Sequence, residues 1–127
     1  MATVPRMAIP SDDTIVLLHN PKCSKSRATL ALLEERGVAF DTRLYLEDPL
    51  SESELRSLGE RLGREPVEFT RTKQAEFGEA GLSKESEGAE ILAAMAKTPI
   101  LMERPVVLRG NRAAIGRPPE DVLALLD

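Results

Sequence analysis

The chain has 127 residues, 42% hydrophobic and 30% charged, with one cysteine and a formal net charge of −4. That length suits one domain, the hydrophobic share excludes disorder over most of the chain, and the acidic balance argues against a nucleic-acid binder, which usually carries a basic stripe. One cysteine excludes an intramolecular disulfide framework and a multi-thiolate zinc site, and no metal is expected.

Residues 1–13, with Pro5, Pro10, Ser11 and Asp12, read as a flexible extension without the apolar core of a secretory signal. No apolar run approaches the roughly 20 residues of a membrane span, so a cytoplasmic, reducing location is expected, with no membrane partner. Residues 14–19 (TIVLLH) form a short buried strand. Asn20-Pro21 breaks it, Ser24-Lys25-Ser26 begins a helix carrying Leu30 and Leu33 on one face, and Gly37 stands where a helix C-cap belongs. Residues 38–46 (VAFDTRLYL) alternate through Phe40, Thr42, Leu44 and Leu46, which predicts a second strand. Parallel pairing of the two strands would make a right-handed βαβ unit.

Ser51 and Glu54 have capping-box spacing, and Leu55, Leu58 and Leu62 continue that helix to Gly63. Pro66 opens a short helix, residues 73–85 read as loop with marginal helical pieces, and residues 87–97 form a helix stopped by Thr98-Pro99. Residues 105–108 and 113–116 predict a hairpin around a tight turn, and residues 118–126 a closing helix. Glu52, Glu54 and Glu60, with Arg36, Arg43, Arg56 and Arg61, are read as surface charges.

Cys23 falls between a buried strand and a helix start. Free backbone N–H groups and the positive end of the helix dipole converge there, which favours a thiolate and an adjacent oxyanion. Lys22, Lys25 and Arg27 act in the same direction. A free cysteine is often a small buried hydrophobe, but Pro, Lys and Ser neighbours suit a reactive loop thiol. The position three residues on, where a dithiol motif has its second cysteine, is Ser26, so any second thiol comes from outside. His19 either polarises the thiol or hydrogen-bonds locally at a strand end. Asn20 is a turn former or an organiser of the loop. Arg71, Arg104 and Arg117 stand at breaks in the pattern. Guanidinium forks match oxyanions, yet spacing alone does not show that the three converge.

The chain resembles the arsenate reductase (ArsC) family, a glutaredoxin-related branch of the thioredoxin fold. The resemblance rests on four co-linear blocks: His19-Asn20-Pro21-x-Cys23-Ser24-x-Ser26-Arg27, Arg71-Thr72-Lys73, residues 98–107 (TPILMERPVV), and Ile115-Gly116-Arg117-Pro118-Pro119-Glu120. It implies an α/β, thioredoxin-like βαβ…ββα domain over residues 14–127, with a helical insertion at about 47–98. It implies Cys23 as nucleophile, Arg71, Arg104 and Arg117 as catalytic arsenate ligands, and a substrate-binding set of Ser24, Lys25, Ser26, Arg27 and a cis Pro105. His19 and Asn20 would support them. The implied reaction is reduction of arsenate to arsenite, with glutathione as co-substrate, glutaredoxin as partner and no bound cofactor. Relatives that bind RNA polymerase, and thiol transferases without arsenate activity, are the alternatives.

Overall fold

The computed structural model describes residues 13–126. The extension expected over residues 1–13 lies outside the described residues, apart from Asp13.

Chain order is β1 (Ile15–His19), α1 (Ser24–Glu35), β2 (Asp41–Leu44), α2 (Glu52–Leu62), a 3-10 turn (Pro66–Phe69), α3 (Ala75–Glu79), α4 (Gly88–Lys97), a second 3-10 turn (Pro99–Leu101), β3 (Val106–Arg109), β4 (Arg112–Ile115) and a 3-10 segment (Pro119–Leu125). The sheet order is β2-β1-β3-β4. β1 and β2 are parallel, with Leu18 opposite Arg43, and β3 is antiparallel to both β1 and β4. This is the thioredoxin-like α/β arrangement that the family resemblance implies.

Every residue of β1 is buried, because both faces of the sheet are covered. Val16 and Leu18 pack with Val106, Leu108 and the apolar faces of α2 and α4. Ile15, Leu17 and Val107 pack on the other face with Leu33 of α1 and with Val122 and Leu125 of the last segment. Each fully buried Leu or Val side chain stabilises this sandwich by about 1.5–3 kcal/mol.

Local signals set most boundaries. Gly37, just past α1, has φ +68°, a conformation that costs glycine little. Ser51 and Glu54 form the reciprocal capping box expected for α2. The closing segment is a 3-10 helix and not an α-helix, but it buries Val122 and Leu125 as the pattern required.

The second strand departs from expectation. It spans four residues only, and its one buried position is Arg43; Tyr45, just past its end, is buried too, while Leu44 and Leu46 are exposed. Phe40 still packs on the α1 side. The opposite phase places Arg43 beneath α2, where its Nη1 and Nη2 donate to the Glu54 carboxylate at 2.7 and 3.1 Å. Its Nε and Nη2 donate to the carbonyls of Asp48 and Pro49. Arg43 and Glu54 are each 3% exposed, so neither is the surface charge that the sequence suggests.

Candidate functional site

Cys23 is the N-cap residue of α1, with extended backbone angles (φ −99°, ψ 124°). Its own N–H donates to the Asn20 carbonyl and its carbonyl accepts from Arg27, each at 3.0 Å, so the loop is pinned on both sides of the sulfur. A Ser or Asp cap would take the N–H groups of the first helical turn. Here the N–H groups of Lys25 and Ser26 are turned toward sulfur instead: the thiol makes no regular cap bond, but they favour its anion. Burial of the sulfur opposes ionisation. The Ser26 N–H, the Arg104 guanidinium and the Lys25 N–H outweigh it and hold the thiol below its ordinary pKa. More thiolate is then present at neutral pH, and the thiolate is the nucleophile.

Ser26 is fully buried. Its Oγ accepts from the Asn20 N–H at 2.9 Å and lies 2.7 Å from His19 Nδ1. Asn20 closes the turn by accepting from the Lys22 N–H at 3.0 Å. Of the two uses for His19, the local hydrogen bond is the one present. Burial, with the Arg27 charge second, lowers the His19 pKa and keeps the ring neutral. Arg27 is exposed and donates to the Pro21 carbonyl at 2.9 Å, while Ser24 and Lys25 face solvent on the first turn.

The three arginines come together, although they stand on three different segments. The Arg71 N–H donates to the Leu101 carbonyl at 2.7 Å, Glu103 donates to Phe69 at 2.9 Å, and Thr70 bridges Met102. This short pairing sets Arg71 beside Arg104. Arg117 reaches the same place from the end of the hairpin, its Nη1 donating to the Arg104 carbonyl at 3.2 Å. All three line one polar cleft of about 390 Å³ with Thr70, Thr72, Lys73, Gln74 and Glu103. Partial burial lowers the Arg71 pKa, and the Arg104 and Arg117 charges push the same way against the pull of Glu103. Such a cluster attracts an anion. Arg104 belongs to both halves of the site, since it lines the cleft and also faces the Cys23 sulfur.

The Arg104–Pro105 peptide bond is cis, as is Arg117–Pro118. Pro105 is buried, and its carbonyl accepts from the Gly116 N–H at 2.9 Å. Gly116 is there because nothing larger fits: a Cβ would lie 2.7 Å from Thr29 Oγ1 and 2.9 Å from Pro105 Cγ. Arg117 is held at the cleft by that close approach.

Tyr45 is a neighbour of the thiol that sequence reasoning missed. It is the sole tyrosine and is fully buried. Desolvation pushes its hydroxyl up to about 12, against the pull of Arg104, while the charge of Cys23 adds to the rise. The available signal was the alternation itself, read in the phase that puts Arg43 and Tyr45 on one face.

The family model described as ArsC family matches residues 18–125. The chain is 42% identical over 115 residues to an arsenate reductase of Haemophilus influenzae, covering 89% of this chain and 99% of that one. It is 44% identical over 114 residues to the uncharacterized protein YfgD of Escherichia coli, covering 88% and 96%. The solved structure of an arsenate reductase from Vibrio cholerae superposes with a TM-score of 0.85 at 43% identity, covering 90% of this chain and 98% of that one.

Proposed function

The chain belongs to the ArsC family, and from that membership we propose that it is an oxidoreductase that reduces arsenate to arsenite. Cys23 is the nucleophile and Arg71, Arg104 and Arg117 bind the oxyanion. The observation that carries this function is the double position of Arg104, which faces an anion-stabilised thiol and lines the tri-arginine cleft. A thiolate and an oxyanion repel each other, and guanidinium groups fixed between them lower that barrier without reorganising.

In the proposed reaction the Cys23 thiolate forms a sulfur–arsenic bond as one arsenic–oxygen bond breaks. The departing oxygen leaves as water after protonation, and arsenic remains in the +5 state. Glutathione, as co-substrate, bonds through its sulfur to arsenic as a second oxygen leaves as water. A glutaredoxin thiolate then attacks that glutathione sulfur, and the sulfur–arsenic bond breaks with its electron pair left on arsenic. The glutathione and glutaredoxin thiols thus lose one electron each to form a mixed disulfide and arsenic gains both; water then displaces Cys23 from arsenic, which releases arsenite and restores the thiolate. The external thiol is required because Ser26 occupies the place of a second loop cysteine. Ser24, Lys25, Ser26 and Arg27 contribute the first-turn N–H groups and charge, Pro105 forms the wall next to Arg104, and His19 and Asn20 hold the loop.

The test is a coupled assay with glutathione, glutaredoxin, glutathione reductase and NADPH. Arsenate should start NADPH oxidation with the wild-type protein and not with Cys23→Ser. Arsenate-independent turnover of a small disulfide, with no response to arsenate, would replace this function with thiol transfer. Capture of RNA polymerase without either turnover would replace it with a regulatory one.

A further inference from the structure

Among the described residues two side-chain polar atoms are buried without a hydrogen-bond partner, the Tyr45 hydroxyl and Arg104 Nε. Both stand where the sheet delivers the Cys23 loop: His19 lies opposite Leu44, the residue before Tyr45, and Leu18 lies opposite Val106, two residues after Arg104. The charge of each group also couples to Cys23. Unpaired buried donors are uncommon, because each gives up its bonds to water for nothing in return.

The surroundings of the phenol show what it needs. Arg104, Arg71 and the Asn20 side chain are its polar neighbours besides Cys23. The guanidinium groups are donors only. Asn20 Oδ1 already accepts from the Lys22 N–H, which turns the amide nitrogen toward the phenol, and no regular hydrogen bond joins the two side chains. The polar side chains that act on the phenol besides Cys23 are thus donors, and its own hydroxyl has no hydrogen-bond partner. Arg104 Nε–H is in the same condition. Two orphaned donors beside one sulfur are complementary to an acceptor-rich anion on that sulfur.

We propose that Tyr45 is a substrate-binding residue whose hydroxyl donates, together with Arg104 Nε, to an oxygen of the oxyanion at Cys23. The assignment rests on the oxyanion function proposed above and adds a neutral donor to its three arginines. A neutral donor favours the anion without adding charge to an already cationic cleft.

The chain contains one tyrosine and no tryptophan, so its near-ultraviolet absorption reports Tyr45 directly. Inorganic arsenate and phosphate are titrated into the full-length protein, with sodium chloride at matched ionic strength as control. Two signals are followed: the tyrosine band, and protection of Cys23 from iodoacetamide. A saturable red shift is expected, with the half-saturation concentration of the Cys23 protection. In Tyr45→Phe that protection should need about tenfold or more oxyanion, as for a lost hydrogen bond to a charged group. The thermal midpoint should equal or exceed that of the wild type, because the deleted hydroxyl was unpaired. A merely structural tyrosine would lower the midpoint and leave the half-saturation unchanged. Protection without a band shift, or equal protection in Tyr45→Phe, overturns the assignment of Tyr45 alone. Absence of oxyanion protection in the wild type overturns the oxyanion function along with it. The band shift needs no variant, so it decides the matter even where Tyr45→Phe folds poorly.

Discussion

His19 Nδ1 and the Ser26 hydroxyl lie 2.7 Å apart, joining the end of β1 to the first turn of α1 across the loop that carries Cys23. The same hydroxyl accepts from the Asn20 N–H, so one oxygen atom fixes both the entry to the loop and the helix that follows. Ser26→Ala leaves two buried polar groups without a partner, and we expect a loss of about 1–3 kcal/mol in urea denaturation. The pH midpoint of Cys23 alkylation should also rise, as the N–H groups that lower the thiol lose their fixed direction.

The sole histidine contributes to the pH dependence of stability on the acid side of neutrality. Burial and Arg27 place the native His19 pKa below its unfolded value. Between the two values the unfolded chain binds a proton that the native chain does not, so the contribution of His19 is complete above about pH 6.5 and falls as the pH drops below it. The loss stops once the native imidazole is protonated. His19→Asn keeps an acceptor near Ser26 and should flatten the stability difference between about pH 7.5 and about pH 5.5. An NMR titration of the imidazole checks the assignment.

Cys23 should be alkylated with a midpoint below that of a free thiol measured alongside it, such as glutathione, given the direction of its shift. Arg104→Gln removes the charge that faces the sulfur and should raise the midpoint. Arg71→Gln should leave it nearly unmoved, because Arg71 lines the cleft without being among the groups that lower the thiol. Equal shifts in both variants would contradict the division of labour between the two arginines.

Arg43 and Glu54 form a buried pair that is 3% and 2% exposed at the side chains, at a shortest distance of 2.7 Å. Arg43→Met leaves a buried carboxylate that has lost its cation, and we expect about 3–5 kcal/mol of destabilisation in chemical unfolding. The double variant Arg43→Met with Glu54→Leu should recover most of that loss, because the cost lies in the uncompensated charge.

Gly116→Ala places a methyl group within 3 Å of Thr29 Oγ1 and Pro105 Cγ. Neither neighbour yields readily: Thr29 is held by its bond to the Lys25 carbonyl, and proline is a rigid ring. A stability loss of about 1–3 kcal/mol is expected from overpacking. Oxyanion protection of Cys23 should weaken as well, since the hairpin end that carries Arg117 must move outward.

The sequence by itself determined the strands expected over 14–19 and 105–108, which lie at 15–19 and 106–109, together with the helix starts, the capping box and the loop position of Cys23. Those depend on neighbours within a few residues, and hydrophobic period, caps and glycine turns report such interactions directly. Tertiary structure alone decided the phase of β2, because its alternation offers two faces and each has an apolar covering. Choosing the Arg43 face required Glu54 on a distant helix to compensate a buried guanidinium, and the same choice set Tyr45 beside the thiol. The meeting of Arg71, Arg104 and Arg117 was equally out of reach of spacing. It arises from the pairing of residues 69–71 with 101–103 and from the close approach that Gly116 permits, contacts between segments that lie far apart in the chain.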